Sequence, residues 1–338
     1  MRKTLQKIIF AINLLAAFAL LLSYLLPYIS PKTFPLLSVL SLAVPVLISI
    51  NIIFLAYWTI LLKKKLWISF FVLLLGFTHI TNLYKFGDEV ETSEEGVLSL
   101  FTYNVHSFNR FRWIDSPSIP QDISRILKKY NPDIFCAQEY YNNPDIDFSQ
   151  YIHKYEFFNH NSRELALVIF SKFPIINKGS FDFKNTANNI IYADLARKKD
   201  TIRVYNVHLQ SHSISTQTKD LANADSQKMV KRMSVAFRKQ QSQTEKLIDH
   251  MRASPYPTIV MGDFNNTAYS YIYNKITDEN MQDTFKEAGS GFGKTFKFDL
   301  FPARIDFIFI PEGHEVVSCK TFTEELSDHF PILSKVKW

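Results

Sequence analysis

Gly262-Asp263-Phe264-Asn265, closing the apolar run that starts at Pro257, and Ser327-Asp328-His329-Phe330-Pro331-Ile332, opening the last apolar run, are the two stretches that decide the fold. Each sets a carboxylate beside a second polar group at the end of a strand-like segment, which is how a sheet presents metal ligands and proton-transfer groups at its rim. Working outward, similar clusters stand at Tyr103-Asn104-Val105-His106, Ala137-Gln138-Glu139, Asn206-Val207-His208-Leu209 and Arg304-Ile305-Asp306. One Asn or His at a strand end is more often a turn residue or a satisfied polar group. The ordered recurrence of such clusters along one chain is not accounted for by turns.

Nine short runs rich in Val, Ile, Phe and Tyr predict strands: 97–103, 133–137, 165–170, 190–195, 201–207, 257–261, 305–310, 316–322 and 332–336. They imply a large, mostly two-layered β core. Pro120 suits the first turn of a helix that runs to Tyr130 and ends at Asn131-Pro132. The polar stretch 211–251 lacks strand patterning, and Leu247, Ile248 and Met251 at helical spacing predict a helix with one face on the sheet. From residue 97 onward there are 30 Lys and Arg against 27 Asp and Glu, so this part is only mildly basic. That balance does not demand nucleic acid as a partner, which a concentrated basic patch would signal. Cys136 and Cys319 fall inside strand-like runs and read as buried small hydrophobes, and no zinc-type Cys/His spacing is present.

The N-terminal quarter is a different material. Residues 8–28, 33–62 and 66–84 contain no charged residue, and each is long enough at about 1.5 Å per residue to cross roughly 30 Å of hydrocarbon. Three membrane helices, at 8–28, 34–62 and 66–84, are expected. Thr78, His79, Thr81 and Asn82 make the third the weakest, with an interfacial or re-entrant segment as its alternative. A cleaved signal peptide would not be followed by further apolar spans. Arg2, Lys3 and Lys7 precede the first span and Lys63, Lys64 and Lys65 separate the second from the third, whereas the first loop holds only Lys32. The positive-inside bias then places both Lys-rich ends in the cytoplasm. Three crossings deliver the rest of the chain outside, with a bacterial inner membrane as the expected location. An acidic linker at 86–96, containing Asp88, Glu89, Glu91, Glu94 and Glu95, leads to a domain at 97–338.

Over that domain the chain resembles the endonuclease/exonuclease/phosphatase superfamily, which includes pancreatic deoxyribonuclease, abasic-site endonucleases, bacterial sphingomyelinases and inositol polyphosphate 5-phosphatases. The Asn, Glu, His, Gly-Asp-x-Asn, Asp and Ser-Asp-His motifs match in type and order. The resemblance implies an α+β fold, a four-layer αββα sandwich, that hydrolyses phosphoester bonds with Mg²⁺ or Mn²⁺. It further implies that Glu139 binds the metal with Asn104 and Asp328 nearby, a donor set suited to a hard cation. It assigns Asp263 to positioning or deprotonating the attacking water, Asn265 to steadying that group and the phosphate, His329 to contacting the phosphate, Asp306 to orienting His329, and His208 to a second phosphate contact. Either Asp263 or the Asp306/His329 pair can serve as general base on this reading.

Three features carry less weight. His106 reads equally as a substrate contact and as a loop residue without a role. Lys172, in Ser171-Lys172-Phe173-Pro174, reads as a solvated turn lysine, with a phosphate contact as its alternative. The aromatic group Phe108, Phe111 and Trp113, interleaved with Arg110 and Arg112, reads either as a packed loop or as a surface for bases or lipid. Two classes of function remain: a membrane-anchored, metal-dependent phosphodiesterase or phosphatase, and a catalytically silent membrane-tethered binding module of the same fold. The intact set of ligands and proton-transfer groups favours the enzyme. Its substrate is a phosphoester in nucleic acid, in a phospholipid or in a small molecule. Its other partner is the lipid bilayer, and no protein partner is inferable.

Overall fold

Alternation along each strand sorts side chains into an inner face, toward a second sheet, and an outer face, toward helices. The computed structural model describes residues 2–87, 96–158, 164–212, 225–299 and 301–338, so the acidic residues of the expected linker lie outside the described residues. The strands are β1 (Val97–Asn104), β2 (Ile134–Tyr140), β3 (His153–Phe158), β4 (Ala166–Ser171), β5 (Ile175–Ser180), β6 (Asn189–Arg197), β7 (Asp200–His208), β8 (Thr258–Asp263), β9 (Met281–Asp283), β10 (Asp306–Pro311), β11 (Val316–Thr321) and β12 (Ile332–Lys337). They form two six-stranded sheets, ordered β11-β12-β1-β2-β4-β3 and β5-β6-β7-β8-β10-β9. β1 runs parallel to β2 and β7 parallel to β8, and the other pairs are antiparallel. The three strands that the apolar runs do not mark, β3, β5 and β9, all sit at sheet edges. β3 and β5 are largely solvent-accessible there, so their sequences carry little apolar alternation.

Leu98, Leu100, Ile134, Cys136, Ile202, Val204, Ile259, Met261, Ile308 and Ile310 fill the space between the sheets. Helix α6 (Ile119–Tyr130) covers the outer face of the first sheet, with Ile119, Ile123 and Leu127 on Phe101, Tyr103 and Phe135. Helices α7 (Ser226–Arg252) and α8 (Tyr271–Thr277) cover the second through Leu247, Ile248, Met251, Ile272 and Ile276. The fold is therefore the expected four-layer αββα sandwich. α6 ends at Asn131, in the left-handed region at φ 42°, and Asp225 caps α7 by accepting from the backbone N–H groups of Gln227 and Lys228. Both cysteines are buried free thiols.

Ahead of the sandwich lie α1 (Arg2–Ser23), α2 (Pro35–Val39), α3 (Val44–Ile60), α4 (Leu66–Leu75) and α5 (Phe77–Leu83). Two helical stretches, Thr4–Tyr28 and Pro35–Ile60, are long and apolar enough to cross a membrane. The third apolar stretch is a bent pair, α4 and α5, meeting at 79°. Gly76 sits at the bend, where an added Cβ would lie 2.0 Å from the Tyr24 hydroxyl. A buried polar relay joins α1, α3 and α4: Trp58 Nε1 donates to Asn13 Oδ1 (2.9 Å), Asn13 Nδ2 to Ser69 Oγ (2.7 Å), and Ser69 Oγ to Asn51 Oδ1 (3.2 Å). Such links hold helices together where no hydrophobic effect drives them into contact.

This bundle is docked on the sandwich. Ser30 Oγ and the Lys32 backbone N–H donate to Gln241 of α7 at 2.9 and 2.7 Å, and Lys32 pairs with Glu245. Tyr269 is buried among Leu20, Leu26, Val44 and Leu83, and its hydroxyl donates to the His79 carbonyl (3.2 Å).

Candidate active site

Strand parity aims the polar residues. On β1 the inward series Leu98, Leu100, Thr102 ends at Asn104; on β7 Ile202, Val204, Asn206 ends at His208; on β8 Ile259, Met261 ends at Asp263; on β10 Asp306 precedes Ile308 and Ile310. Each catalytic candidate thus continues the core-facing row of its strand to the rim of the cleft between the sheets. Glu139 is out of phase with Ile134, Cys136 and Gln138. A β-bulge between Ala137 and Tyr140, with Glu139 at φ 50°, turns its side chain into the cleft.

The groups converge. Asn104 Nδ2 donates to Asp263 Oδ2 (3.1 Å) and Glu139 Oε1 (3.3 Å). Asp263 Oδ1 accepts from the Asn265 backbone N–H (2.8 Å) and Oδ2 from Asn265 Nδ2 (3.1 Å), with Asn265 itself at φ 49°. His208 Nε2 lies 3.6 Å from Asp263 and 3.8 Å from Glu139, and His329 Nε2 lies 3.7 Å from Asp263. His329 Nδ1 bonds Asp306 at 2.9 Å, which leaves Nε2 aimed at the centre. Asp328 faces His106 Nδ1 at 2.9 Å. Glu139 and His208 line a cleft of about 340 Å³ together with Asn188, Asn189 and Gln210.

Charge placement sets proton affinities. Burial disfavours a charged His329, but the Asp306 and Asp263 carboxylates win and raise its pKa above the ordinary imidazole value. Burial raises Asp306, against the pull of His329. Burial alone would raise Asp328; the His106 bond and the charges of His329 and His106 take it down to about 2. His106 is raised in turn: burial lowers it, but the bond to Asp328 and the charges of Asp328 and Glu139 together outweigh burial.

A family profile described as the Endonuclease/Exonuclease/phosphatase family matches residues 101–329. The chain belongs to this family. A second profile, described as a domain of unknown function (DUF8431), matches residues 6–83. No curated protein matches the chain. Among solved structures it is similar to the endonuclease/exonuclease/phosphatase from Bacteroides vulgatus (20% identity, 71% of this chain and 98% of that one, TM-score 0.53). It is also similar to a functionally unknown conserved protein from Enterococcus faecalis (17%, 71% and 99%, 0.53) and to a humanized D. rerio TDP2 (14%, 72% and 100%, 0.52). At these identities the likeness carries the fold alone. The endonuclease/exonuclease/phosphatase superfamily generally hydrolyses phosphoester bonds with a divalent metal, and the present chain has an acidic site to match.

All eight site residues expected from the family motifs gather at this rim. Four carboxylates, Glu139, Asp263, Asp306 and Asp328, meet here, and among the described residues none is paired with Lys or Arg. With the Asn104 amide they form an oxygen-rich, negative donor set that fits a hard divalent cation. The tightest group is Asp263, Asp306 and His329, whose ligand atoms lie within 4.8 Å of one another.

Other residues belong to the site without a readable motif. Thr295 Oγ1 accepts from the Asp306 backbone N–H (3.0 Å), and Phe296 packs its ring on His329 at 4.8 Å. Beneath the rim, Gln138 Nε2 donates to Asn206 Oδ1 (2.7 Å), while Asn206 Nδ2 donates to the carbonyls of Ala137 (2.9 Å) and Val168 (2.8 Å), tying the two sheets together. The aromatic group divides: Phe108 is core, while exposed Trp113 stacks on His106 at 4.9 Å. Lys172 donates to the Asn131 carbonyl (2.6 Å) and to Asp133 (3.1 Å) and so secures a turn. Arg304 is buried against Asp283 at 2.6 Å, away from the cleft.

Proposed function

We propose that the chain is a membrane-anchored, divalent-metal-dependent phosphoester hydrolase whose cleft works on phosphoesters presented at the bilayer surface. The observation that carries this reading is the convergence of four carboxylates, none paired with Lys or Arg among the described residues, with His208 and His329 at one rim. Glu139, Asn104 and Asp328 would hold Mg²⁺ or Mn²⁺, which when bound supplies polarisation of a phosphoryl oxygen and eases departure of the leaving oxygen. Asp263, fixed by both nitrogens of Asn265, orients the attacking water and takes its proton. His329, charged and oriented by Asp306, donates from Nε2 to a phosphoryl oxygen as negative charge grows there. His208 contributes a second donor on the other flank.

The surface preference has its own support. Asn265 and membrane-docked Tyr269 are four residues apart, so their Cα atoms are separated by at most about 14 Å. Tyr269 packs on Leu20 of α1 and Val44 of α3, both within the two apolar stretches, and so holds this end of the sandwich against the helical bundle. A phosphate in a lipid headgroup is therefore close to the cleft, whereas an extended duplex would have to lie along the membrane.

The test is hydrolysis by the full chain in nanodiscs, against phospholipid, nucleic-acid and small phosphoesters, with and without Mg²⁺. Metal-dependent release is expected, with Glu139→Gln and Asp263→Asn each lowering it about a thousandfold or more. Activity within tenfold of the wild type in either variant, or none on any substrate, sinks the assignment and leaves the binding-module reading.

A further inference from the structure

Where the second apolar stretch begins, Phe34, Leu36 and Leu37 face the N-terminal half of α7 across a groove of about 750 Å³. Leu36 and Leu37 are 61% and 40% exposed, which is the state of side chains meant for lipid rather than water. From the opposite wall α7 contributes Val230, Lys231 and Arg238. Lys231 and Arg238 are seven residues apart, two helical turns, so their Cα atoms lie on one face about 10 Å from each other. Both are exposed, and neither has a carboxylate partner among the described residues. The groove therefore has an apolar floor supplied by the membrane bundle and a cationic rim supplied by the sandwich, at the height where Lys32 and Ser30 meet α7.

We propose that this groove is a binding site for an anionic phospholipid of the surrounding bilayer. An acyl chain lies against Leu36, Leu37 and Val230, and the phosphate sits between Lys231 and Arg238. A zwitterionic headgroup would bring its own cation up to two unpaired ones, so the charge balance selects a lipid with net negative charge. The site is separate from the hydrolytic cleft. Gln240 and Gln243, on another face of α7, hold the Asn265 carbonyl (3.0 Å) and the Gln210 backbone N–H (2.9 Å) instead. The inference rests on the membrane reading of the N-terminal helices and not on hydrolysis.

The experiment reconstitutes the full chain in phosphatidylcholine nanodiscs doped with phosphatidylglycerol and measures, by native mass spectrometry, which lipid stays bound on extraction. Phosphatidylglycerol is expected to be retained selectively, and Lys231→Gln with Arg238→Gln to lower that retention about 25-fold, at about fivefold per basic group. Lys231→Arg should keep it. A photoreactive acyl chain on phosphatidylglycerol should label residues 34–39 and 227–238. Equal retention of the two lipids, unchanged retention in the double variant, labelling elsewhere, or a cross-link between two copies of the chain across the groove overturns the site. Flotation on pure phosphatidylcholine vesicles, expected for wild type and double variant alike, separates loss of lipid selectivity from loss of insertion. A wild-type chain that does not float refutes the membrane reading and the site together.

Discussion

Replacing Asp306 with Asn preserves side-chain shape while removing the charge that faces His329. Both residues are buried, with 2.9 Å between Nδ1 and the carboxylate. For charge centres roughly 4 Å apart and an effective dielectric near 20, their attraction is about 4 kcal/mol. That corresponds to about three pH units in the proton affinity of the imidazole. The direction follows from the opposing causes: burial lowers the His329 pKa and the facing carboxylates raise it above its ordinary value. The wild-type imidazole is therefore protonated through neutral pH, and its role as donor is lost only as pH rises through the raised pKa. With Asp263, 3.7 Å away, and Asp328 left to favour the charged form, the variant loses the proton at lower pH. The alkaline limb of kcat/KM on a chromogenic phosphodiester should move down by about three pH units, while activity on the acid side falls less. Combining Asp306→Asn with His329→Gln should cost little more than His329→Gln alone, because the aspartate acts through the histidine. Superimposable pH profiles, or fully additive losses in the cycle, would refute the coupling.

Asn206→Leu removes three hydrogen bonds between the sheets, a loss of about 3 kcal/mol at about 1 kcal/mol each. At about 2–4 °C per kcal/mol for a domain of this size, Tm should fall by about 6–12 °C, and a drop under about 2 °C would show that the inter-sheet link is not structural. A reporter active only outside the cytoplasm, fused after Trp338, should be active; activity of a cytoplasm-only reporter at the same point instead would reverse the topology. The docking of Ser30 and Lys32 on α7 supports the outside placement, since the loop between two spans and the sandwich then share one side of the bilayer.

The site was largely legible because strand-end residues inherit their direction from the apolar row behind them. Asn104, His208, Asp263 and Asp306 needed only the parity of Leu100, Val204, Met261 and Ile308 to be aimed inward. Glu139 broke that parity, and only the family motif marked it, since a bulge is set by backbone pairing with β4 and leaves no periodic trace. β3 and β5 leave no apolar run because they are largely solvent-accessible at their sheet edges, and β9 leaves none because it is only three residues long. The break at Gly76 lies within an apolar run, and the close approach that requires a glycine there comes from Tyr24, 52 positions earlier. His106 gained a partner in Asp328 through a contact spanning most of the domain, which no local pattern encodes.

The packing of Tyr269 and the bracing of α7 by Ser30 and Lys32 fix the sandwich against the apolar bundle. On the proposed membrane-anchored function, a substrate held in the same leaflet reaches the cleft by lateral diffusion, as an encounter in two dimensions. Turnover of such a substrate is governed by its mole fraction in the surface, and diluting it with inert lipid slows the reaction even when the amount of substrate per volume of solution is unchanged.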